Sequence, residues 1–369
     1  MNKWAWGVLA AALTLSPGGA ARAEILIGIA GPMSGKDAAL GEEIKRGGMK
    51  AIEDINAKGG VLGEQLRAVI GDDLCDAALA VSVAKDMVAQ KVAVVIGHVC
   101  SGASIPASTV YADANVLQIS PSSTNPELTD RGLANVFRVC GRDDLQGPAA
   151  AQYVALNLRG KKVAVVDDKQ TYGKGLALAF KASVESKGFK PVLYAEIDPG
   201  EKDYNALMAD LQSAGAEIVY FGGYYPEGAL IARELKEQGL NALLIGGDGL
   251  NDPKFPDIAG DAADGTLMTF GTDPKLDPGN RELVRYFETQ NYEPEGYTFY
   301  AYGAIQAWAD AVTRAGSTDT TKVEMSLRVH TFQTVMGTLD FNAKGDRVDP
   351  GFVVYVWKNG KPVYSGLKP

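Results

Sequence analysis

Histidine is scarce in this sequence, and the common motifs of nucleotide-binding enzymes are missing. The 369 residues include two histidines, His98 and His330, and three cysteines. Neither histidine has a metal-ligand spacing or stands beside a nucleophile, so we expect His98 to pack beneath its loop rather than to act in catalysis. The chain has no dinucleotide-binding fingerprint and no phosphate loop ending in Gly-Lys-Ser or Gly-Lys-Thr. We therefore predict a protein without enzymatic activity, metal or cofactor, and an exported enzyme is the least favoured alternative.

Long hydrophobic runs are missing beyond the amino terminus. The first segment has Lys3, an apolar run at 4–15 and the sequence Ala21-Arg22-Ala23, which together are typical of a secretory signal cleaved after Ala23. The apolar run is too short to cross a bilayer, and no later run approaches that length. We predict a signal peptide at 1–23 and an exported mature chain that does not insert into the membrane. The formal net charge of −9 argues against nucleic acid as a partner, because an acidic protein repels polyanions.

The three cysteines predict one disulfide and one free thiol in an oxidising compartment. The sequence alone allows three pairings. Cys75 lies in a polar loop and Cys100 follows a buried-strand run at 92–97, whereas Cys140 lies inside a strand-like run at 135–141. Two loop cysteines at one sheet edge pair more easily than a cysteine inside a strand. We therefore favour Cys75–Cys100, with Cys140 as a buried thiol.

The body of the chain alternates between strand-like and helix-like segments. Strands are predicted at 25–30, 66–70, 92–97, 117–120, 162–166, 191–197, 218–221, 242–245 and 266–270. Helical runs between them indicate βαβ units and parallel sheets. The alternation breaks near Gly141 and restarts, which predicts an α/β protein with two doubly wound lobes. The tail differs: two consecutive helices, at 297–314 and 322–329, precede a β-rich end with a hairpin turn at Asn359-Gly360.

Polar and aromatic side chains follow the predicted strands where parallel sheets bind ligands. The first lobe offers hydroxyls and exposed amides at these positions, and the second offers aromatic rings and one carboxylate, Asp248. Hydroxyls at a helix start can bind a carboxylate, and an acidic residue can pair with an ammonium, so the pattern suits a small zwitterion in the cleft between the lobes. Each residue taken singly also fits an ordinary turn or helix cap. We expect Asp143-Asp144 and Asp167-Asp168 to be solvated faces near the hinge.

The chain from Glu24 onward resembles the periplasmic branched-chain amino-acid-binding proteins, the Leu/Ile/Val-binding type that serve ABC importers. Nine short segments spread over the mature sequence carry the resemblance: 32–35, 54–60, 72–76, 96–101, 119–121, 126–129, 168–175, 222–224 and 335–337. The resemblance implies a type I periplasmic binding protein fold with two Rossmann-like lobes joined by three crossings. It implies an amino-terminal lobe of 24–142 plus 272–350 and a carboxy-terminal lobe of 143–271 plus 351–369. It also implies a Cys75–Cys100 disulfide, a periplasmic location, a membrane permease as partner and a monomer.

The resemblance also implies a set of ligand contacts. The ligand carboxylate would meet Ser101 and Thr124, assisted by the Tyr224 hydroxyl. The ammonium would meet the Ser122 carbonyl, the Thr124 hydroxyl and Asp248. The walls would be Tyr172, Tyr224, Tyr297 and the disulfide.

This sequence departs from the family pattern at two of these positions. Asp248 stands where the family carries glutamate, and Leu40 stands where an aromatic wall is expected. The expected function is import of branched-chain or other aliphatic amino acids, with leucine, isoleucine and valine as the reference ligands. The alternative is a type I binding protein for an aromatic acid, an amide or urea. Asp248 distinguishes the two ligand classes, because ligands of the alternative class have no ammonium group to pair with its carboxylate.

Overall fold

A computed structural model describes residues 24–366, so the predicted signal peptide and its cleavage site lie outside the described residues. Within this range, five parallel strands form a first sheet in the order β2-β1-β3-β4-β5. The strands are β1 (Glu24–Gly31), β2 (Gln65–Asp72), β3 (Val94–Gly97), β4 (Leu117–Ser120) and β5 (Val136–Arg138). All residues of β3, β4 and β5 are buried, as expected for a parallel sheet covered by helices on both faces.

A second sheet has seven strands in the described chain, in the order β14-β13-β10-β9-β8-β6-β7. Its first five strands along the chain are β6 (Val163–Asp167), β7 (Leu193–Glu196), β8 (Ile218–Gly222), β9 (Leu243–Gly246) and β10 (Leu267–Phe270). These are parallel, and an antiparallel pair extends the sheet beyond β10. A small two-stranded sheet is formed by β11 (Phe332–Thr334) and β12 (Gly337–Leu339), and the antiparallel pair is β13 (Val353–Lys358) and β14 (Lys361–Tyr364).

The helices cover the sheets and connect their strands. In chain order the α-helices of the described residues are α1 (Ala38–Ala57), α2 (Ala77–Ala89), α3 (Ser101–Asp113), α4 (Glu127–Asp130), α5 (Asp143–Asn157), α6 (Thr171–Ser186), α7 (Asn205–Ala214), α8 (Tyr225–Glu237), α9 (Lys254–Ala259), α10 (Arg281–Thr289), α11 (Thr298–Ala315) and α12 (Thr320–Val329). A single 3₁₀ turn at Asp248–Leu250 follows β9. None of the helices in this part of the chain is both long and apolar enough to cross a membrane.

The chain passes between the two sheets three times. It leaves the first sheet after β5 and enters the second at β6. After β10 it returns toward the first sheet, because α11 packs on α1 and contacts β3 and β4. It then joins the second sheet again at β13, which pairs with β10. The residue boundaries of the two lobes given above stay a prediction.

Several local predictions are confirmed and others need correction. Lys358 pairs with Lys361 across a hairpin turn in which Asn359 and Gly360 have φ of 52° and 73°, as a type I′ turn requires. The disulfide joins Cys75 to Cys100, and Cys140 is a buried free thiol. However, β5 ends at Arg138, so Cys140 lies beyond the strand rather than inside it. Helix α10 was not predicted, because its 9 residues bury Phe287 alone and leave little apolar signal.

Candidate ligand-binding site

A small cavity lies between the two sheets and brings most of the predicted site residues together. Its free volume is about 10 Å³, roughly the space of one water molecule, because the side chains around it pack closely together. Its lining includes six of the seven predicted ligand contacts and three further residues: Ser101, Ser122, Tyr172, Tyr224, Asp248 and Tyr297, with Leu40, Val99 and Gly249. The seventh, Thr124, lines a neighbouring space of about 10 Å³ that also contacts Asp248 and Tyr297. All seven side chains are buried.

The first sheet contributes a helix start and a cluster of hydroxyls. Ser101 is the first residue of α3, where free backbone N–H groups and the helix dipole favour an anion. Its hydroxyl accepts a hydrogen bond from the amide of Asn125 at 3.3 Å. The Ser122 hydroxyl donates to the carbonyl of Val99 at 3.2 Å, which joins the loop after β4 to the loop after β3. The Thr124 hydroxyl is buried and makes no hydrogen bond of good geometry within the described residues.

His98 supports the loop that carries Val99 and Cys100, as predicted. Its side chain is fully buried, with Nδ1 2.5 Å from Oδ2 of Asp73 and Nε2 2.9 Å from the Tyr111 hydroxyl. Asp73 is itself fully buried, although the polar run around it suggested an exposed loop. These contacts account for both ring nitrogens of His98, so the residue holds the loop in place and does not face the cavity.

The second sheet contributes Asp248 and two of the aromatic walls. Asp248 begins the 3₁₀ turn after β9 and is 4% exposed. Its Oδ1 accepts a hydrogen bond from the Tyr172 hydroxyl at 2.9 Å, and its Oδ2 accepts one from the Tyr297 hydroxyl. The Tyr172 hydroxyl in turn accepts from the amide of Gly249 at 2.9 Å. Tyr172 and Tyr224 pack with their ring centroids 5.0 Å apart.

The glycines on either side of Asp248 allow this close packing. A Cβ atom at position 249 would lie 2.5 Å from the carbonyl oxygen of Gly223, and one at position 247 would lie 2.4 Å from Leu176. Both distances are shorter than any real carbon contact. The backbone of the second lobe can therefore approach the cavity closely at Asp248 because its neighbours have no side chains.

The pKa of Asp248 reflects its burial. Loss of solvent raises the pKa above the ordinary value of 3.8, while the hydrogen bonds from Tyr297 and Tyr172 act in the opposite direction. The net shift is upward. A cationic group brought against this carboxylate would favour the ionised form.

A second buried acid lies near Asp248, and the prediction that Asp143 is solvated is wrong. Asp143 begins α5, is fully buried, and its two carboxyl oxygens have no hydrogen bond of good geometry in the described chain. Burial first, and then the charge of Asp248, raise its pKa well above the ordinary range, while the nearby Thr124 hydroxyl lowers it. Asp144 is exposed, as predicted, and pairs with Arg142 at 2.7 Å. Asp248 is therefore not the lone acid that the sequence suggested.

The solvated face predicted for Asp167-Asp168 is also wrong. Both side chains are fully buried, because they lie where β6 ends beneath the start of α6. Asp168 accepts hydrogen bonds from the backbone amide of Gln170 at 3.0 Å and from its side chain at 2.8 Å. Burial raises the pKa of Asp168 to about 7. Their burial depends on the packing of α6 against β6, which the polarity of the pair does not predict.

Comparison with known proteins decides the family. The sequence profile of the periplasmic binding protein family matches residues 24–362. The chain belongs to the periplasmic binding protein family. Leu/Ile/Val-binding protein homolog 1 of Brucella melitensis is 45% identical to it over 361 residues, which cover 98% of this chain and 97% of the relative. An amino acid binding protein of Pseudomonas aeruginosa is 46% identical over 340 residues, 91% of each chain.

A solved structure of a related protein has the same fold as this periplasmic binding protein. The branched-chain amino acid transporter substrate binding protein of Streptococcus pneumoniae, in complex with isoleucine, has a TM-score of 0.87 and 28% sequence identity. The match covers 94% of this chain and 100% of that chain. The type I fold and the family resemblance expected from the sequence are both confirmed.

Proposed function

We propose that this periplasmic binding protein is the substrate-binding component of an ABC importer for branched-chain or other aliphatic amino acids. The observation that carries the proposal is the cavity itself. A helix start and hydroxyls line one side, and the buried carboxylate of Asp248 lies on the other. The helix start and the hydroxyls can bind the carboxylate of an amino acid without a charged side chain, and the buried acid opposite can bind its ammonium. The names of the two relatives support an amino acid over an aromatic acid, an amide or urea.

Within the cavity, the ligand carboxylate binds at Ser101 and Thr124 with help from the Tyr224 hydroxyl. The ammonium binds at the Ser122 carbonyl, the Thr124 hydroxyl and Asp248, where it takes over part of the role that the tyrosine hydroxyls have in this structure. Tyr172, Tyr224 and Tyr297 enclose the ligand. The Cys75–Cys100 disulfide, also expected as a wall, is not part of the cavity lining, whereas Val99 is. Leu40 lines the same cavity, which favours an aliphatic ligand side chain.

Binding requires the two lobes to close over the ligand. The cavity takes residues from both predicted lobes, so the closed form has the higher affinity and ligand shifts the population toward it. The three crossings, near 141–144, 271–273 and 349–351, act as the hinge. The closed protein, an exported monomer in the periplasm, then delivers the amino acid to its membrane permease.

Replacement of Asp248 tests this function. Asp248→Ala leaves the ligand ammonium without its buried partner, and removal of one member of such a pair costs about 2–5 kcal/mol. We expect leucine, isoleucine and valine to bind at least about tenfold more weakly, equivalent to about 1.4 kcal/mol. Asp248→Glu should retain binding and change the preference among side chains, because it restores the family residue. Isothermal titration calorimetry on the three proteins measures both effects.

Asp257→Ala provides the control, because Asp257 is an exposed acid on the same lobe. If Asp248→Ala binds the preferred amino acid as tightly as the parent does, the zwitterion site is wrong. Tighter binding of benzoate or urea than of any amino acid by the parent would favour the alternative ligand class instead.

A further inference from the structure

Lys36 connects the two predicted lobes without being part of the lining of the ligand cavity. It lies in the loop between β1 and α1, and its ammonium is 3.0 Å from Oε1 of Glu227 in α8. Beside this ion pair, the Tyr225 hydroxyl donates a hydrogen bond of 2.7 Å to the backbone carbonyl of Lys36. The loop of the first lobe is therefore held to the start of α8 through both a side chain and the backbone.

Glu227 depends on this contact across the lobes. Its side chain is 1% exposed, and Lys36 is the one cation within ion-pair distance of it in the described chain. Oε1 also accepts the amide of Gly200 at 2.8 Å, whereas Oε2 has no partner in residues 24–366. A buried carboxylate without a cation is strongly unfavourable. The second lobe thus carries a charge whose counter-ion comes from the first.

Lys36 remains charged and partly hydrated in this arrangement. Its side chain is 39% exposed, and its ammonium also lies 3.3 Å from Oδ2 of Asp37 in its own lobe. Burial lowers the pKa of Lys36 and the charges of Asp37 and Glu227 raise it, with a net rise. If the lobes separate, Lys36 keeps Asp37 as a partner, whereas Glu227 loses its cation and must be solvated by water.

We propose that Lys36, Glu227 and Tyr225 form an interlobe clasp that assembles when the lobes close and raises ligand affinity without contact with the ligand. This inference rests on the proposed function, because it requires lobe closure on binding. The three are positioning residues, since none of them lines the cavity that holds Asp248. They act on the equilibrium between open and closed forms, and any contribution to the closed form appears as affinity.

Three variants test the clasp with leucine as the probe. Lys36→Met leaves Glu227 buried without a cation in the closed form, and we expect binding to weaken by about tenfold. Glu227→Gln can keep the hydrogen bond from Gly200 and leaves no stranded charge, so its loss should be smaller. The double variant should bind at least as well as Lys36→Met, because its two changes remove the same contact. Stopped-flow kinetics should place the loss in the dissociation rate, since the clasp forms after the ligand is bound.

The controls separate the clasp from a general effect of charge or stability. Lys36→Arg should retain most of the affinity. Lys181→Met breaks an ion pair of 2.7 Å with Glu185 that lies wholly within α6, and its leucine affinity should equal that of the parent. Small-angle scattering at a fixed subsaturating leucine concentration should show a larger radius of gyration for Lys36→Met than for Lys181→Met.

The outcomes are distinct. If the parent binds leucine and both Lys36→Met and Glu227→Gln bind it equally well, the clasp is rejected and the proposed function stands. An equal loss in Lys181→Met would also reject the clasp. If the parent binds no branched-chain amino acid, the proposed function fails and this inference fails with it.

Discussion

Asp143 shows how a single buried residue can oppose the stability of the protein. The carboxyl group is fully buried, has no good hydrogen bond in the described chain, and lies near the charge of Asp248. An acid whose pKa is raised in the folded state stabilises that state fully only below its unfolded pKa. Its unfavourable effect therefore develops as the pH rises above the ordinary value of 3.8.

We expect Asp143→Asn to stabilise the protein at neutral and alkaline pH. The amide has the same shape as the carboxyl group and cannot ionise. We expect a gain of at least about 1.4 kcal/mol in the free energy of unfolding at pH 8, which corresponds to one unit of pKa shift, and the gain should vanish near pH 4. Denaturant unfolding at the two pH values measures it, with Asp144→Asn as the matched control. A gain that is the same at both values would show that Asp143 does not titrate in this range.

At the scale of elements, one disulfide joins a loop to a helix of the first sheet's layer. Cys75 and Cys100 are separated by 25 residues and tie the loop after β2 to the start of α3. In the chain-entropy account, a closed loop of this length contributes about 3 kcal/mol. We expect the double variant Cys75→Ser/Cys100→Ser to lose about that much unfolding free energy.

Cys140 is fully buried, which raises the pKa of its thiol, so it should react with a maleimide only after unfolding. Peptide mapping that found Cys140 in the native disulfide would contradict this arrangement.

The elements also show what sequence patterns can predict here. The alternation of strands and helices is visible because buried strands such as β3 are continuous apolar runs. Ser101 follows β3 of the first sheet and Asp248 follows β9 of the second. Both could be placed at the cleft between the lobes, because ligands bind beyond the carboxyl ends of parallel strands in each sheet. The burial of Asp143, Asp167 and Asp168 could not be read in the same way. It depends on how helices and the opposite lobe pack over these acids, and polarity alone suggests an exposed face.

At the scale of the whole molecule, a pair of acids lies between the two predicted lobes. Glu43 in α1 and Asp252 after β9 are 2% and 0% exposed, and each has one carboxyl oxygen with no partner in the described chain. The other oxygen of Glu43 accepts the backbone amide of Tyr297 at 2.8 Å. Burial, followed by the charge of Asp252, raises the pKa of Glu43 well above its ordinary range. Burial raises the pKa of Asp252 to about 7.

This acid pair should couple lobe closure to pH. We expect both carboxyl groups to meet water in an open form and to titrate near their ordinary values. Burial in the closed form raises the pKa of both, that of Asp252 to about 7. Closure therefore takes up protons, and the unfavourable effect of Asp252 on affinity grows as the pH rises above 3.8 and is complete above about 7. Asp252→Asn cannot ionise and removes this effect. We expect it to bind leucine with the affinity of the parent near pH 4 and at least about tenfold more tightly at pH 8, since one pKa unit is a factor of ten. Calorimetry at both pH values measures the difference, and Asp257→Asn, on an exposed acid of the same lobe, should match the parent throughout. Equal affinities of Asp252→Asn and the parent at pH 8 would mean that Asp252 does not change its protonation when the lobes close.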